Sequence, residues 1–375
     1  MPVSVESTPT FTRQGPWVEI DLGTLAENIR SVQSTLGSDT EAIFVVKADA
    51  YGHGLVPVAC RAAESGVNWF GVAYTDEAQA LRNALPDSKI LLLGVADPED
   101  VPALIAQRVI PIVVSEEHGL ALAVRARELG ETLDVHIKVD TGMERLGIDW
   151  QEAGPTLERL LQEPSLNVTG ICSHFATVEP DHSGTGDEQY SRFESLPVPD
   201  SMFRHISSSR AFLCNPNWDT NGVRLGIVVY GYGASDPEMR VRTRPILQWK
   251  CRVMQVKSVS AGAAVGYYGT HVTRRATRLA VLAAGYADGY LRTLSNRAFV
   301  LIGGRRCKVV GRVSMNWITV DVGPDSEVQA GDEAVLIGRQ GNEELWAGDL
   351  AKLCRTIPYE ILTNIKPGLE HRYVG

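Results

Sequence analysis

Short apolar segments alternate with helix-like stretches between Asp21 and about Leu225. The apolar segments are rich in β-branched and aromatic residues, which is typical of parallel strands buried on both faces. Eight segments predict strands: Ile43–Lys47, Trp69–Val72, Ile90–Leu93, Ile110–Val113, Val135–Val139, Val168–Ser173, Phe203–Ser207 and Gly222–Leu225. Eight strands that alternate with helices favour an α/β fold built as a closed (β/α)8 TIM barrel.

One of the stretches between strands shows the helical repeat clearly. Asp149, with Glu152 three residues later, is typical of a helix N-terminus. The apolar positions that then fall on one helix face are Trp150, Ala153, Leu157, Leu160 and Leu161. The pattern predicts a helix with Asp149 as its N-cap, packed on the outside of the barrel.

An open, doubly wound sheet is the alternative architecture for this alternation. Such sheets bind dinucleotides at a glycine-rich GxGxxG turn after the first strand. Residues 47–54 instead read KADAYGHG, which does not match that turn. We therefore expect the barrel.

The period of the pattern changes after Pro245, where apolar and polar residues alternate one by one from Leu247 to Val253. This repeat predicts a strand with one buried face. The clearest hairpin joins Phe299–Ile302 to Arg305–Val310 through two glycines, and further strands are predicted at Trp317–Val322 and Ala334–Ile337. We expect a barrel domain over residues 13–245 and a β-rich domain over residues 246–375, with residues 1–20 packing on the latter.

Composition and charge narrow the classes of partner. The chain has 375 residues, 44% of them hydrophobic, and its formal net charge of −9 is scattered without long runs of one sign. This balance indicates a small-molecule partner rather than a nucleic acid or an anionic membrane. The six cysteines are at least 37 positions apart, which predicts neither a local metal site nor a disulfide framework. With no secretory signal and no long apolar run, we expect a cytoplasmic protein.

Lys47 ends the first predicted strand, at the barrel mouth where active sites of this architecture lie. A lysine at a strand end is usually just solvated, but its surroundings are specific. The segment Val45-Val46-Lys47-Ala48-Asp49-Ala50-Tyr51-Gly52-His53-Gly54 resembles the pyridoxal-phosphate lysine motif of the alanine racemases. Further resemblances follow in the family's order at residues 139–147, 173–177, 223–227, 265–267, 285–289 and 311–315. The resemblance covers nearly the whole chain and implies the same barrel followed by a β domain.

The resemblance implies two bases. Lys47 binds the cofactor as an aldimine and, once freed, acts on one face of the substrate Cα. Tyr267, rather than its neighbour Tyr268, acts on the other face, as a racemase with two bases requires. Because a phenol with a pKa near 10 is a poor base at neutral pH, His174 is expected to polarise it, with Arg224 behind.

The resemblance also assigns the cofactor contacts. Arg224 faces the pyridine nitrogen, which stays unprotonated because arginine keeps its proton. Arg145 contacts the ring hydroxyl, and Lys138 matches a lysine that is carbamylated in some members. The residues expected at the cofactor phosphate are Tyr51, Ser209, Gly226, Ile227 and Tyr359.

Substrate contacts are implied at Met315, Tyr286, Arg292 and, besides its cofactor role, Arg145. Asn316 stands where the family typically has an aspartate, and this neutral amide removes repulsion toward a carboxylate. We hypothesise that substrate specificity is relaxed or shifted by it, for example toward serine. Other departures, such as Glu144 in place of a glycine, remove neither proposed base.

The leading hypothesis is a pyridoxal-phosphate isomerase that interconverts L- and D-alanine for D-alanine biosynthesis. The resemblance implies a homodimer in which Tyr267 and Met315 enter the active site of the partner. A basic amino-acid decarboxylase shares the architecture but would need its own C-terminal cysteine and acidic motifs, which we do not find. A non-catalytic cofactor carrier would leave the β domain unexplained.

Overall fold

The structure is a computed structural model that describes residues 15–178, 185–218, 220–233 and 241–375. Within these residues the chain forms two compact units, one of residues 21–246 and 373–375, the other of residues 15–20 and 247–372. The first strand, β1 (Trp17–Asp21), belongs almost entirely to the second unit. Of the segment predicted to pack there, residues 1–14 lie outside the described residues.

Eight parallel strands form the barrel of the first unit. With the short strand β7 that adds to the edge of β6, they are β2 (Glu41–Val45), β3 (Trp69–Val72), β4 (Lys89–Val95), β5 (Val109–Val113), β6 (Leu133–Asp140), β7 (Ile148–Asp149), β8 (Leu166–Cys172), β9 (Phe203–Ser208) and β10 (Gly222–Leu225). The sheet closes because β10 pairs in parallel with β2, with Arg224 opposite Ile43. The predicted (β/α)8 barrel is therefore confirmed.

Helices alternate with these strands. In the first unit they are Leu22–Gln33, Leu55–Glu64, Thr75–Ala84, Val101–Ala106, Glu116–Glu128, Ala153–Leu161, Thr185–Glu194 and Ser209–Cys214. None of the helices in the described ranges is long and apolar enough to cross a membrane.

The predicted helix start at Asp149 is wrong. The helix begins at Ala153 with Glu152 as its N-cap, and Glu152 makes no capping hydrogen bond with its side chain. The Asp149 carboxylate instead accepts a hydrogen bond from the N–H of Gln151 at 2.8 Å, which closes a local turn before the helix. An aspartate favours such turns as strongly as helix caps, so the spacing alone did not separate the two.

Two predicted barrel strands are also too long at their C-terminal ends. Lys47 lies two residues beyond the end of β2, and Ser173 lies one residue beyond the end of β8. Both residues sit in the connections at the carboxyl ends of the strands. In a barrel of parallel strands this is the end that carries the active site.

Apolar side chains fill the barrel interior. One buried cluster joins Ile43, Trp69, Leu91, Ile112 and Cys172, which come from five different strands. This cluster gives the connections at the strand ends a rigid base.

The second unit contains an antiparallel sheet and a separate sheet of two short strands. Its remaining strands are β11 (Leu247–Val259), β12 (Ala264–Val265), β13 (His271–Val272), β14 (Thr277–Leu282), β15 (Phe299–Ile302), β16 (Arg305–Val309), β17 (Ile318–Asp321), β18 (Glu333–Gln340), β19 (Glu343–Leu345) and β20 (Glu370–Val374), and its helices are Ala347–Cys354 and Pro358–Thr363. Strand β11 has the predicted alternation of buried and less buried residues at its start. The predicted hairpin is confirmed, since Ile302 pairs with Arg305 and the two glycines between them have φ values of 58° and 71°.

Candidate active site

The chain turns sharply just after β2, and this turn carries Lys47. Residues from Ala48 to Tyr51 follow with φ between 53° and 57°, in the left-handed region. This conformation costs L-residues roughly 1–2 kcal/mol each, because Cβ approaches the following carbonyl oxygen. The Asp49 carboxylate helps to hold the turn by accepting a hydrogen bond from Leu55 N–H at 2.7 Å. Strain that persists in this way is typical of functional sites.

The amine of Lys47 has a lowered pKa. Although the side chain is exposed in the single chain, the protein around its amine disfavours the charged form. The positive charges of Arg145 and Arg224 lower the pKa further, whereas the carboxylate of Glu77 opposes them. A lowered pKa increases the neutral fraction of the amine, which is the form that acts as nucleophile or base.

Arg224 lies on β10 and is only 6% exposed. Its guanidinium donates hydrogen bonds to neutral acceptors on the neighbouring strand β9 and in the two residues just after β8. They are Ser173 O at 2.6 Å, His205 O at 2.8 Å, Ile206 O at 2.9 Å, His205 Nδ1 at 2.6 Å and His174 Nδ1 at 3.0 Å. None of these acceptors is a carboxylate. A buried, fixed positive charge without an anion among its hydrogen-bond partners favours an anionic or electron-rich ligand.

His174 is held neutral beside this guanidinium. Burial and the nearby positive charges, Arg224 and Lys138 foremost, lower its pKa to about 2. Because Nδ1 accepts from Arg224, the neutral ring carries its proton on Nε2. His174 is therefore a fixed hydrogen-bond donor through Nε2 across the usual assay range of pH.

Lys138 and Arg145 lie near the same centre. Lys138 is 7% exposed, and its Nζ has no hydrogen-bond partner among the described residues. Burial first, then the charges of Arg224 and Arg145, lower its pKa. The loop of Arg145 is fixed by the Asp140 carboxylate, which accepts four backbone N–H groups from Gly142 to Arg145 at 2.8 to 3.2 Å. Burial would raise the pKa of Asp140, but these donors lower it overall.

Three of the residues predicted at the phosphate, Tyr51, Ser209 and Gly226, come together. The N–H of Gly226 donates to Ser209 Oγ at 2.8 Å. A Cβ placed on Gly226 would lie 2.4 Å from Tyr51 Oη, so the phenol needs a glycine here. The Tyr51 ring packs on that of Tyr230, with centroids 4.8 Å apart. Ile227 follows directly in the chain and is buried.

The second unit brings the loops of Tyr267, Tyr286 and Met315 into one cluster, which we call the loop cluster. Tyr286 N–H donates to Ser314 O at 3.0 Å, and the next N–H donates to Met315 O at 2.9 Å. A Cβ on Gly311 would lie 2.8 Å from Val265 O, so the loop that leads to Tyr267 packs on the loop that leads to Met315. Tyr267 is 65% and Met315 55% exposed.

Of three further predicted residues of the second unit, Asn316 follows Met315 directly in the loop cluster, whereas Arg292 and Tyr359 lie elsewhere. Asn316 and Arg292 are exposed. Tyr359 lies in the helix Pro358–Thr363, and its burial raises its pKa to about 12. The structure thus gathers the barrel residues into one site, whereas the loop cluster gathers only part of the second set.

Two histidines of the barrel were missed by the sequence analysis. Arg224 donates to His205 Nδ1, so neutral His205 carries its proton on Nε2, which lies 2.8 Å from His136 Nδ1. Burial and the charge of Arg224 lower the pKa of His136 to about 3 and that of His205 well below its ordinary value. Polar residues inside otherwise apolar barrel strands were the signal that could have identified both. Glu77 was also missed, and it lies where no motif pointed.

Comparison with known proteins finds matches to one family in both parts of the chain. The family model "Alanine racemase, N-terminal domain" matches residues 20–234, and "Alanine racemase, C-terminal domain" matches residues 246–373. An alanine racemase of Carboxydothermus hydrogenoformans is 40% identical over 96% of this chain and 99% of its own.

Solved structures agree in fold over nearly the full length. Alanine racemase from Bacillus anthracis, solved with bound L-Ala-P, has a TM-score of 0.88 and 33% identity, and the match covers 98% of this chain and 96% of that one. Alanine racemase from Bartonella henselae, solved with covalently bound pyridoxal phosphate, has a TM-score of 0.86 and 28% identity over 96% of this chain and 100% of its own. This chain belongs to the alanine racemase family, whose members depend on pyridoxal phosphate.

Proposed function

We propose that the protein interconverts L- and D-alanine with pyridoxal phosphate as cofactor. The observation that carries this proposal is the pairing, at one barrel mouth, of an amine with a lowered pKa and a buried guanidinium whose hydrogen-bond partners are all neutral. An amine of this kind suits the capture of an aldehyde. The guanidinium suits a ring nitrogen that must stay unprotonated, which favours racemisation over transamination.

The residues at the mouth fit the cofactor. Lys47 would hold its aldehyde carbon, and Arg145 its ring oxygen. Tyr51, Ser209, Gly226 and Ile227, with Tyr359 of the second unit, would hold its phosphate. When bound, the cofactor supplies an electron sink that acidifies the Cα–H of an amino acid.

Lys138 supports the fit through its unpartnered buried amine. A carbamate on this nitrogen replaces a buried positive charge with an anion. That anion can accept hydrogen bonds from Arg145 and hold it toward the cofactor. We therefore include a carbamylated Lys138 in the proposal, and the mass of the intact protein tests it.

Two groups of the chain move the protons. The Nζ of Lys47 takes or returns the proton on one face of Cα, and the Oη of Tyr267 does so on the other. The Nε2–H of His174 is the donor that stabilises the phenolate of Tyr267, and Arg224 keeps His174 in the tautomer that this requires.

The exposure of Tyr267 and Met315 supports a homodimer in which each enters the site of the partner. A phenol that acts as a base needs a site with little water, and the single chain leaves Tyr267 mostly exposed. Tyr286 and Arg292 would then lie at the opening, with the Met315 N–H at the substrate carboxylate. The proposal places this dimer in the cytoplasm, where it supplies D-alanine for biosynthesis.

A racemase with a broadened range is the second candidate function, supported by the neutral amide of Asn316 where the family typically has an aspartate. The first experiment is chiral chromatography of L-alanine, and in parallel L-serine, after incubation with the purified protein and pyridoxal phosphate. D-alanine supports the proposal. An amine with released CO2 would indicate a decarboxylase, and an unchanged amino acid would indicate a cofactor carrier, so either result contradicts it.

A further inference from the structure

The two oxygens of the Glu77 carboxylate bind different parts of the barrel. Oε2 accepts the N–H groups of Ala73 and Tyr74 at 2.8 and 3.2 Å, at the start of the helix Thr75–Ala84. This is an ordinary helix-capping contact. Oε1 instead accepts the N–H of Ala48 at 2.6 Å, from a residue 29 positions earlier in the chain. Helix capping does not account for this second contact.

The N–H of Ala48 belongs to the peptide unit that joins it to Lys47. Ala48 is also the first residue of the left-handed run, so this peptide sets the direction in which the backbone leaves Lys47. The far end of the run is held separately, by Asp49 at the N–H of Leu55 and by Gly54 N–H on Asp49 O at 3.0 Å. A strained run of this length persists only when contacts at both ends determine it.

We infer that Glu77 is a positioning residue for Lys47, because its carboxylate fixes the Lys47–Ala48 peptide and thereby the direction of the lysine side chain. This inference rests on the proposed role of Lys47 as the lysine that binds the cofactor. No motif of the sequence includes Glu77, and the residue reaches Lys47 only through the backbone and through its charge.

The charge of Glu77 also affects the pKa of Lys47, which can be measured separately from the position of the side chain. The carboxylate raises the pKa of Lys47 against the lowering by burial and by Arg145 and Arg224. Removing the charge while keeping the shape must therefore lower the pKa of a protonated nitrogen at Lys47. Shortening the Glu77 side chain while keeping its charge must instead mainly change the position of Lys47.

Three variants of the holoprotein separate these effects from helix capping. Glu77→Asp keeps a carboxylate at the helix start but is one methylene too short to reach Ala48 as well. Glu77→Gln keeps the length without the charge. Asp76→Ala is the matched control, because Asp76 Oδ1 accepts the N–H of Glu77 at 2.9 Å at the same helix start and makes no recorded contact with Ala48.

The measurements are the rate at which pyridoxal phosphate leaves the holoprotein in cofactor-free buffer and the pH midpoint of the absorbance band of the bound cofactor. We expect Glu77→Asp to lose the cofactor about 10-fold faster, as the loss of a hydrogen bond to a charged acceptor predicts. Glu77→Gln should move the midpoint to lower pH. Asp76→Ala should change only the melting temperature. Equal cofactor loss in Glu77→Asp and Asp76→Ala would overturn the inference.

Hydrogen–deuterium exchange of the native protein tests the same contact without any substitution. Ala48 is exposed in the single chain, where its N–H donates to Glu77, so we expect slow exchange at this N–H. Fast exchange at Ala48 contradicts the inference even if the variants fold poorly. Borohydride reduction followed by mass spectrometry distinguishes failure of the proposed role of Lys47 from failure of the role of Glu77. Cofactor trapped on another lysine contradicts the role of Lys47. Cofactor on Lys47 with normal retention in Glu77→Asp contradicts only the role of Glu77.

Discussion

The barrel mouth and the loop cluster hold their candidate residues in opposite ways. At the barrel mouth a side chain itself is fixed, because the Arg224 guanidinium makes five hydrogen bonds. In the loop cluster the backbone is fixed, while the side chains of Tyr267 and Met315 are exposed. In the barrel, a single chain is therefore enough to hold the positive charge of Arg224 in place. The proposed homodimer would cover the exposed side chains of the loop cluster.

The largest loss of activity should come from substituting Lys47, at the barrel mouth. Lys47→Ala removes the amine that we propose to hold the cofactor and to serve as one base, so we expect racemisation of alanine to fall by at least about 10³-fold. Chiral chromatography measures the activity, and the absorbance of the bound cofactor measures its retention. Folding should be unaffected, because the side chain is exposed in the single chain. A variant that still racemises at the native rate contradicts the proposed site.

Tyr267 tests the other side of the comparison. Tyr267→Phe removes the phenol without changing packing, so we expect about 10²- to 10³-fold slower racemisation with cofactor binding and melting temperature unchanged. In D2O the variant should exchange the Cα proton of one enantiomer faster than it racemises it, because only one base remains.

Tyr268→Phe is the matched control, since Tyr268 is the next residue in the same exposed turn and is 89% exposed. It should racemise alanine as the native protein does. Full activity of Tyr267→Phe in both directions, or an equal loss in Tyr268→Phe, would remove the assignment of the second base.

The contrast also explains what the sequence could predict. The barrel strands follow from apolar segments with flanking helices, and the hairpin at Gly303 follows from two adjacent glycines, because both depend on local pattern. Lys47 and Tyr267 were identified through motifs that resemble those of the family. These predictions needed no knowledge of which strands are neighbours.

The rest depended on contacts between distant parts of the chain. The link from Glu77 to Ala48 and the pair of His136 and His205 arise only when separate strands assemble into the sheet, so no local pattern contains them. The wrong N-cap at Asp149 has a local cause. The sequence around Asp149 suits both a helix N-cap and a turn, and the structure forms the turn.

A smaller effect is expected in the free energy of unfolding, which should depend on pH through His136 in the barrel. The pKa of buried His136 is about 3 in the folded protein, below its ordinary value of 6.5, because burial and the charges of Arg224 and Lys89 disfavour the imidazolium. Its contribution to stability is therefore complete above pH 6.5. It is lost as the pH falls toward 3, because only the unfolded chain takes up the proton. At pH 5 this histidine alone should cost about 2 kcal/mol of the free energy of unfolding.

Urea unfolding at pH 7.5 and pH 5.0 measures this loss. His136→Asn keeps an acceptor for His205 and removes the titrating ring, so it should be less stable at pH 7.5 but lose less stability on acidification. Hydrogen exchange should accelerate more in the barrel strands than in the antiparallel sheet of the second unit. An unchanged pH dependence in the variant would show that acid acts elsewhere.

The smallest expected effect lies at Asn316, in the loop cluster next to Met315. The residue is exposed, so Asn316→Asp should leave folding and cofactor retention unchanged. A carboxylate at this position repels the carboxylate of any amino acid equally, whereas the amide can also donate a hydrogen bond to a hydroxyl side chain. We therefore expect the ratio of serine to alanine turnover to fall a few-fold in the variant, since single rim contacts contribute about 1 kcal/mol. The same ratio in both proteins would mean that Asn316 does not influence the choice of substrate, and that specificity is set on the barrel side of the comparison.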